Sequence, residues 1–201
     1  MTAVLSLKRN SRRVVRNFDE TAVFPTALGW IALAIREESL VRLVFGYPNA
    51  RAAREALAMA SKGKRTASAE AAGGTNHSAA GSWAASVQDR LEAFAAGQAD
   101  DFLDLPVWSE DWTPFQQRVL DCCRRIPYGE TQTYAELAIA AGSLGAARAV
   151  GRTMATNPIP LVIPCHRVLG SGGDLRGYSA FGGLDVKRRL LGLEQRVAVD
   201  P

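Results

Sequence analysis

The chain has 201 residues, of which 47% are hydrophobic and 22% charged, with three cysteines and a formal net charge of +4. That is enough chain for one large core or two small ones, in the composition of an ordinary globular protein. No apolar run approaches the roughly 18–20 residues of a membrane span, and three cysteines cannot build a disulfide scaffold. Integral membrane, fibrous and disulfide-stapled classes are therefore excluded.

The opening MTAVLSLKRNSRRVVRNF puts basic residues after a very short apolar stretch. That order is the reverse of a secretory signal, so the chain is expected in the cytoplasm, alongside chromosomal DNA if it binds any. Its charge is uneven: residues 112–201 hold 11 Lys+Arg against 7 Asp+Glu, while residues 1–111 hold 13 of each. A local excess of positive charge suits an anionic partner, nucleic acid first.

Residues 1–18 are basic and patternless and read as a flexible tail. Gly29–Arg36 and Leu40–Gly46 read as two strands around a charged turn at Glu37–Ser39. Residues 49–59 fit a short helix. From Ala60 to Ser82, 17 of 23 residues are Ala, Ser, Gly or Thr, a composition that buries little and predicts a flexible loop. Ser86–Ala96 restores helical spacing through Val87, Leu91 and Phe94. Asp104-Leu-Pro-Val-Trp108 looks extended. The boundaries that follow are an N-terminal α/β domain over 19–108, a C-terminal domain over 109–196 and a short tail over 197–201.

The second domain carries stronger local signals. Thr113-Pro-Phe-Gln116 offers an N-cap, a proline at the first helical position and a capping-box glutamine. Phe115, Val119, Cys122 and Ile126 follow at helical spacing until Pro127-Tyr-Gly129 stops the helix. Thr133-Tyr-Ala-Glu136 is a second capping box, opening a helix to about Ala141. Gly142 and Gly145 turn the chain into a further helix over about 146–155. Its apolar stripe is Ala146, Ala149, Val150, Thr153 and Met154, and Arg148 and Arg152 share the opposite face. Helix, tight turn and helix with arginines outward is the helix-turn-helix pattern of DNA-binding proteins.

Next comes Asn157-Pro-Ile-Pro-Leu-Val-Ile-Pro-Cys-His-Arg-Val-Leu169. Three prolines in an apolar run forbid a regular central strand and hold the chain rigid around Cys165-His166. Cysteine reacts as its thiolate, whose free pKa of about 8.5 falls beside an imidazole or a cation. An acidic residue that orients the imidazole would complete a nucleophile, base and orienter. Cys165 taken alone would read as a buried core cysteine. Cys122 and Cys123 sit at apolar positions of a helix and read as core, and His77 reads as solvated in its loop.

The pentapeptide Pro164-Cys-His-Arg-Val168 resembles the active-site signature of the methylated-DNA–protein-cysteine methyltransferases, the O6-alkylguanine-DNA alkyltransferases. The resemblance runs from Thr113-Pro-Phe-Gln-Gln through Ile126-Pro-Tyr-Gly-Glu-Thr, Ala146-Ala-Arg-Ala-Val-Gly and Asn157-Pro to Leu190-Leu-Gly-Leu-Glu194, about 80 residues in the family's order. It implies an α/β (α+β) fold, with a small strand-containing domain followed by a mostly helical domain bearing the helix-turn-helix and the cysteine segment. It implies a monomer that binds double-stranded DNA containing O6-alkylguanine, with O4-alkylthymine a further candidate. Such a protein enters the minor groove, flips the damaged base and transfers the alkyl group irreversibly to its own cysteine.

The same resemblance assigns roles to matching positions. Cys165 is the nucleophile, His166 its base through a water, and Glu194 the group that orients His166. Tyr134 donates to the leaving guanine. Arg148 fills the vacated base stack, and Arg152 is a candidate phosphate contact. Asn157 braces the turn before the cysteine segment. Pro160, Tyr178 and Ser179 line the alkyl and guanine pocket, and backbone groups near Cys165 and Val168 read the base edge within it. No cofactor or metal is implied: some relatives hold zinc in the N-terminal part, whereas no cysteine precedes Cys122 here.

Two departures from the family pattern stand out. Arg152 occupies a position often held by a small residue, and could add a phosphate contact or obstruct close approach. Ser-Ala-Phe-Gly-Gly183 after Tyr178 brings in Phe181, which is expected to narrow or reshape the pocket. A pocket occluded by Phe181 would give the alternative function, a non-catalytic sensor of alkylguanine that recruits other repair. A cysteine hydrolase leaves the helix-turn-helix and Arg148 unexplained. A sequence-specific regulator would need a dimer signal that the chain lacks.

Overall fold

Alternating apolar residues from Glu20 onward fold into a three-stranded antiparallel meander. Its strands are β1 (Glu20–Thr26), β2 (Gly29–Arg36) and β3 (Ser39–Tyr47), in that spatial order. The computed structural model describes residues 18–61 and 82–197. The tail over 1–17 and the low-complexity stretch over 62–81 lie outside them, as do residues 198–201.

The two strands read from sequence are β2 and β3, and β1 was missed. Pro25 speaks against a strand, yet β1 is an edge strand, where a residue without an amide proton does no harm. The charged turn is a tight hairpin with Glu37 and Glu38 at φ 49° and 52°, both in the left-handed region that two-residue hairpins need.

β2 is buried on both faces. Ile31, Leu33 and Ile35 join the main core, while Ala32 and Ala34 meet Ala53 and Leu57 of helix α1 (Ala50–Ser61). Small residues on that second face let α1 approach closely. Helix α2 (Trp83–Ala95) is capped by Ser82, whose hydroxyl accepts from the Ala85 amide at 3.2 Å, and it buries Val87, Leu91 and Phe94. Arg90 then ties the chain after α2 by pairing with Asp100 and Asp104, each at 2.7 Å.

Both predicted capping boxes form. Thr113 and Gln116 open α3 (Pro114–Arg124), and Thr133 and Glu136 open α4 (Tyr134–Ala140). After Gly142 and Gly145, at φ 67° and 80°, α5 runs over Ala147–Ala155. Of the predicted stripe, Val119 and Ile126 are buried and Phe115 and Cys122 are half-buried against the core, while Leu120 and Cys123 are also buried. Short parallel strands β4 (Gln132–Thr133) and β5 (Val168–Leu169) flank the cysteine segment, and α6 (Gly183–Val197) closes the chain.

The free edge of β3 positions the site. The Leu40 amide donates to Pro106 and the Trp108 amide to Leu40, while the Leu43 amide donates to Pro158, all at 2.8–2.9 Å. The segment before the cysteine thus docks on the N-terminal sheet, and one apolar cluster runs from Leu33 to Val150 and Cys165. Arg189 of α6 adds a hydrogen bond to the Ala27 carbonyl in the β1–β2 turn.

Gly29, in that turn, has φ 95°, and a Cβ there would lie 2.8 Å from the Gly46 carbonyl carbon. Gly29→Ala is therefore expected to lower stability by about 2 kcal/mol, through left-handed strain and backbone overlap together. Urea unfolding checks this, and an unchanged midpoint would show that the turn relaxes freely.

Candidate active site

The segment from Asn157 to Leu169 is stiff because its prolines fix their own torsions and its polar backbone is taken up internally. Asn157 accepts from the Ile159 amide at 3.0 Å and donates through Nδ2 to the Ile163 carbonyl at 2.8 Å, spanning the turn. Inside that turn Leu161 is buried at φ 74°, a strained conformation for a branched residue that costs on the order of 1 kcal/mol. Cys165 follows at the start of a single 3-10 turn, 5% exposed.

His166 and Glu194 meet as the sequence predicts, with Nε2 and Oε1 2.8 Å apart in a fully buried pair. Glu194 accepts from three further donors. Two nitrogens of Arg167, Nε and Nη2, donate to it at 2.8–3.1 Å, and the Gly129 amide donates at 3.2 Å. Arg167 also donates to the Ile126 carbonyl at 2.7 Å and lies over the Tyr128 ring. Burial pushes the Glu194 carboxyl up, but hydrogen bonds from His166 and Arg167 and their charges outweigh it and hold it at about 2.

An ionised Glu194 accepts from Nε2–H, which fixes the imidazole tautomer and leaves Nδ1 as an acceptor. That Nδ1 is buried and has no protein partner. Burial lowers the His166 pKa against the opposing pull of Glu194, so the ring rests neutral with a free lone pair. Burial also raises the Cys165 thiol, while hydrogen-bonding groups on Asn157 and Tyr178 and the charge of Lys187 work the other way. The resting state is a protonated thiol with a neutral base nearby, which suits deprotonation at the moment of reaction.

Two cavities meet at Tyr178 and Ser179. The first, about 510 Å³, holds Cys165, Asn157 and Pro160 and is walled on its far side by β3 and α1, including Tyr47 and Ala56. The second, about 700 Å³, lies between Tyr134, Arg148, Gly151 and Arg176. Tyr134 packs against Gly151, and burial raises its phenol. Arg148 and Arg152 are exposed on α5 and make no ion pair among the described residues. Arg148 borders the second cavity, and Arg152 borders neither.

The Val168 side chain is fully buried in the core, and its carbonyl accepts from Lys187 Nζ at 2.7 Å. Phe181 is part of the lining of the first cavity but does not close it off: it stacks on Tyr47, with ring centroids 4.7 Å apart, is half exposed, and leaves the cavity reaching Cys165. Sequence reasoning overlooked Arg167 and Lys187 as members of the site. Arg167 was already quoted inside the Pro-Cys-His-Arg motif, but a lone arginine reads as solvated until α6 supplies its carboxylate.

Residues 114–196 match a family model described as 6-O-methylguanine DNA methyltransferase, DNA binding domain. A methylated-DNA–protein-cysteine methyltransferase of Mycobacterium tuberculosis H37Rv is 48% identical over 110 residues, covering 53% of this chain and 62% of that protein. The constitutive enzyme of that name from Bacillus subtilis 168 is 41% identical over 111 residues, covering 55% and 66%. The matched stretch thus spans less than two thirds of these curated relatives. The crystal structure of M. tuberculosis OGT in complex with DNA superposes with a TM-score of 0.66 at 33% identity, covering 88% of this chain and 93% of that one.

The electrostatics give a testable pH dependence. The folded Glu194 carboxyl, at about 2, lies below its unfolded value of 4.5, so its stabilisation is complete above pH 4.5 and lost as pH falls toward 2. His166 lies below 6.5 when folded, so the unfolded chain binds its proton first and stability declines as pH drops below 6.5. Urea midpoints measured from pH 8 to 3 should fall below 6.5 and steepen below 4.5. Arg167→Met should cost about 3 kcal/mol at pH 7 by leaving a buried carboxylate underpaired, and Arg167→Met/Glu194→Leu should recover most of that and flatten the acid limb. An acid limb unchanged in the double variant would show that Glu194 is not its source.

Proposed function

We propose that this chain, which belongs to the methylated-DNA–protein-cysteine methyltransferase family, repairs double-stranded DNA by moving the alkyl group of O6-alkylguanine onto Cys165, once per molecule. The observation that carries the reading is the buried pair of His166 and Glu194 next to Cys165, which lines an open cavity, together with helix α5 and its exposed Arg148 and Arg152. The described helices include none long and apolar enough to cross a membrane. A monomer acting in the cytoplasm on chromosomal DNA fits this reading.

The steps follow from the groups present. Arg148 enters the base stack as the damaged nucleotide turns out into the second cavity, its alkyl group reaching toward Cys165 past Tyr178 and Ser179, where the two cavities meet, and this offsets part of the few kcal/mol that unstacking costs. The Cys165 proton passes through a water to His166 Nδ1, and Glu194 stabilises the imidazolium that forms. Sulfur then attacks the alkyl carbon in line. The S–C bond forms as the C–O6 bond breaks, the electron pair stays on the guanine oxygen, and the Tyr134 hydroxyl donates to the guanine ring as charge develops. Asn157 holds the thiol's turn, and Pro160, Tyr178 and Ser179 flank the reacting group. Arg152 takes a phosphate one turn beyond Arg148. The product is a thioether with no leaving group that water can displace, which is why the protein acts once.

The lesion-sensor alternative depended on an occluded pocket, and the position of Phe181 on Tyr47 favours transfer instead. Intact and peptide mass spectrometry after mixing with duplex DNA carrying one O6-methylguanine tests the proposal. One methyl increment per protein, mapped to the Cys165 peptide and absent in Cys165→Ala, is expected. DNA binding without any mass change would support the sensor. Arg148→Ala should slow methyl capture from duplex DNA about tenfold more than from a single strand, where nothing needs to be unstacked; equal losses on both would remove the stack-filling role.

A further inference from the structure

Arg176 has no part in the steps above, yet it stands at the mouth of the second cavity, in the loop between β5 and α6. Its side chain lies across Gly170. A Cβ at that position would come within 2.7 Å of the arginine Nε and 3.1 Å of its Cγ. The Gly170 backbone, at φ −73° and ψ 169°, suits any residue, so what the glycine provides is room for the arginine to lie flat. The guanidinium has a single ion-pair partner among the described residues, Asp174 at 3.5 Å, with both side chains more than half exposed. A surface pair that long holds little and leaves the fork of donors free for a stronger acceptor. Its charge also reaches the cavity interior, where it opposes the burial that raises the Tyr134 phenol.

Two cations therefore border one cavity, Arg148 from α5 with no ion pair among the described residues and Arg176 from the opposite loop with one loose surface pair. A nucleotide that leaves the stack carries its phosphates with it, and a phosphate turned toward the protein needs donors in place of water and counterions. Arg148 is committed to the space left in the duplex. We propose that Arg176 is a further DNA-binding residue, whose guanidinium holds a phosphate of the extruded nucleotide at the cavity mouth. The inference rests on the second cavity being the seat of that nucleotide.

Binding is measured by fluorescence anisotropy in a Cys165→Ala background, which cannot consume the lesion, with matched duplexes containing O6-methylguanine or guanine. Adding Arg176→Ala is expected to weaken lesion binding roughly fivefold. It should also reduce the slope of log affinity against log salt by about 0.9, the signature of one lost phosphate contact. Affinity for the undamaged duplex should fall less. Arg176→Lys should keep the slope, because the charge remains. An unchanged lesion affinity and slope overturns the proposal, and so does an equal loss on both duplexes, which would make Arg176 an ordinary backbone contact. Thermal melting of each variant separates these outcomes from misfolding. If the wild-type protein takes up no methyl group, the repair reading fails, while the binding comparison still decides the role of Arg176.

Discussion

Everything in the site hangs on one buried carboxylate. Anchored on α6, Glu194 draws donors from two other parts of the chain: the imidazole and guanidinium of the cysteine segment, and the amide of Gly129 in the turn after α3. An isolated buried charge would cost several kcal/mol, and four donors turn that liability into a joint. The joint sets which imidazole nitrogen carries the proton. It therefore links a packing decision on the last helix to the chemistry available at Cys165. Arg167 is as necessary to it as His166, since a carboxylate shared with histidine alone would be left partly unsatisfied.

The N-terminal sheet contributes no catalytic group, yet it is part of the apparatus. The free edge of β3 gives its Leu43 amide to the Pro158 carbonyl, fixing the rigid run that carries the cysteine. The same strand and α1 form the far wall of the cavity at the thiol. One apolar cluster crosses from sheet to helices, so the site is set between the two halves rather than built on the second alone.

Local chemistry made the helical half legible. Two capping boxes, the glycine turn and the arginine face of α5 appear in the structure where the residues place them. Both capping threonines satisfy amides within three residues, and such short-range contacts are written directly in sequence. What escaped depended on distant partners. β1 was hidden by Pro25, which is harmless where it stands because no further strand among the described residues pairs on that side. Arg167 received no role from sequence because its carboxylate lies 27 residues away. Lys187 went unnoticed because the carbonyl it serves, that of Val168, lies 19 residues away. Phe181 suggested obstruction because nothing near it in sequence announces Tyr47, the ring on which it rests.

The raised pKa of the cysteine has a consequence for how the molecule waits. Under the proposed transfer Cys165 is spent once and must survive storage, and peroxides and disulfides react with thiolates far faster than with thiols. Cys165, almost wholly enclosed and kept in its protonated form, presents little thiolate to them. The imidazole beside it rests neutral, so no positive charge there draws the thiol proton off. The burial that makes the sulfur a poor nucleophile at rest is thus what keeps the protein intact between synthesis and use.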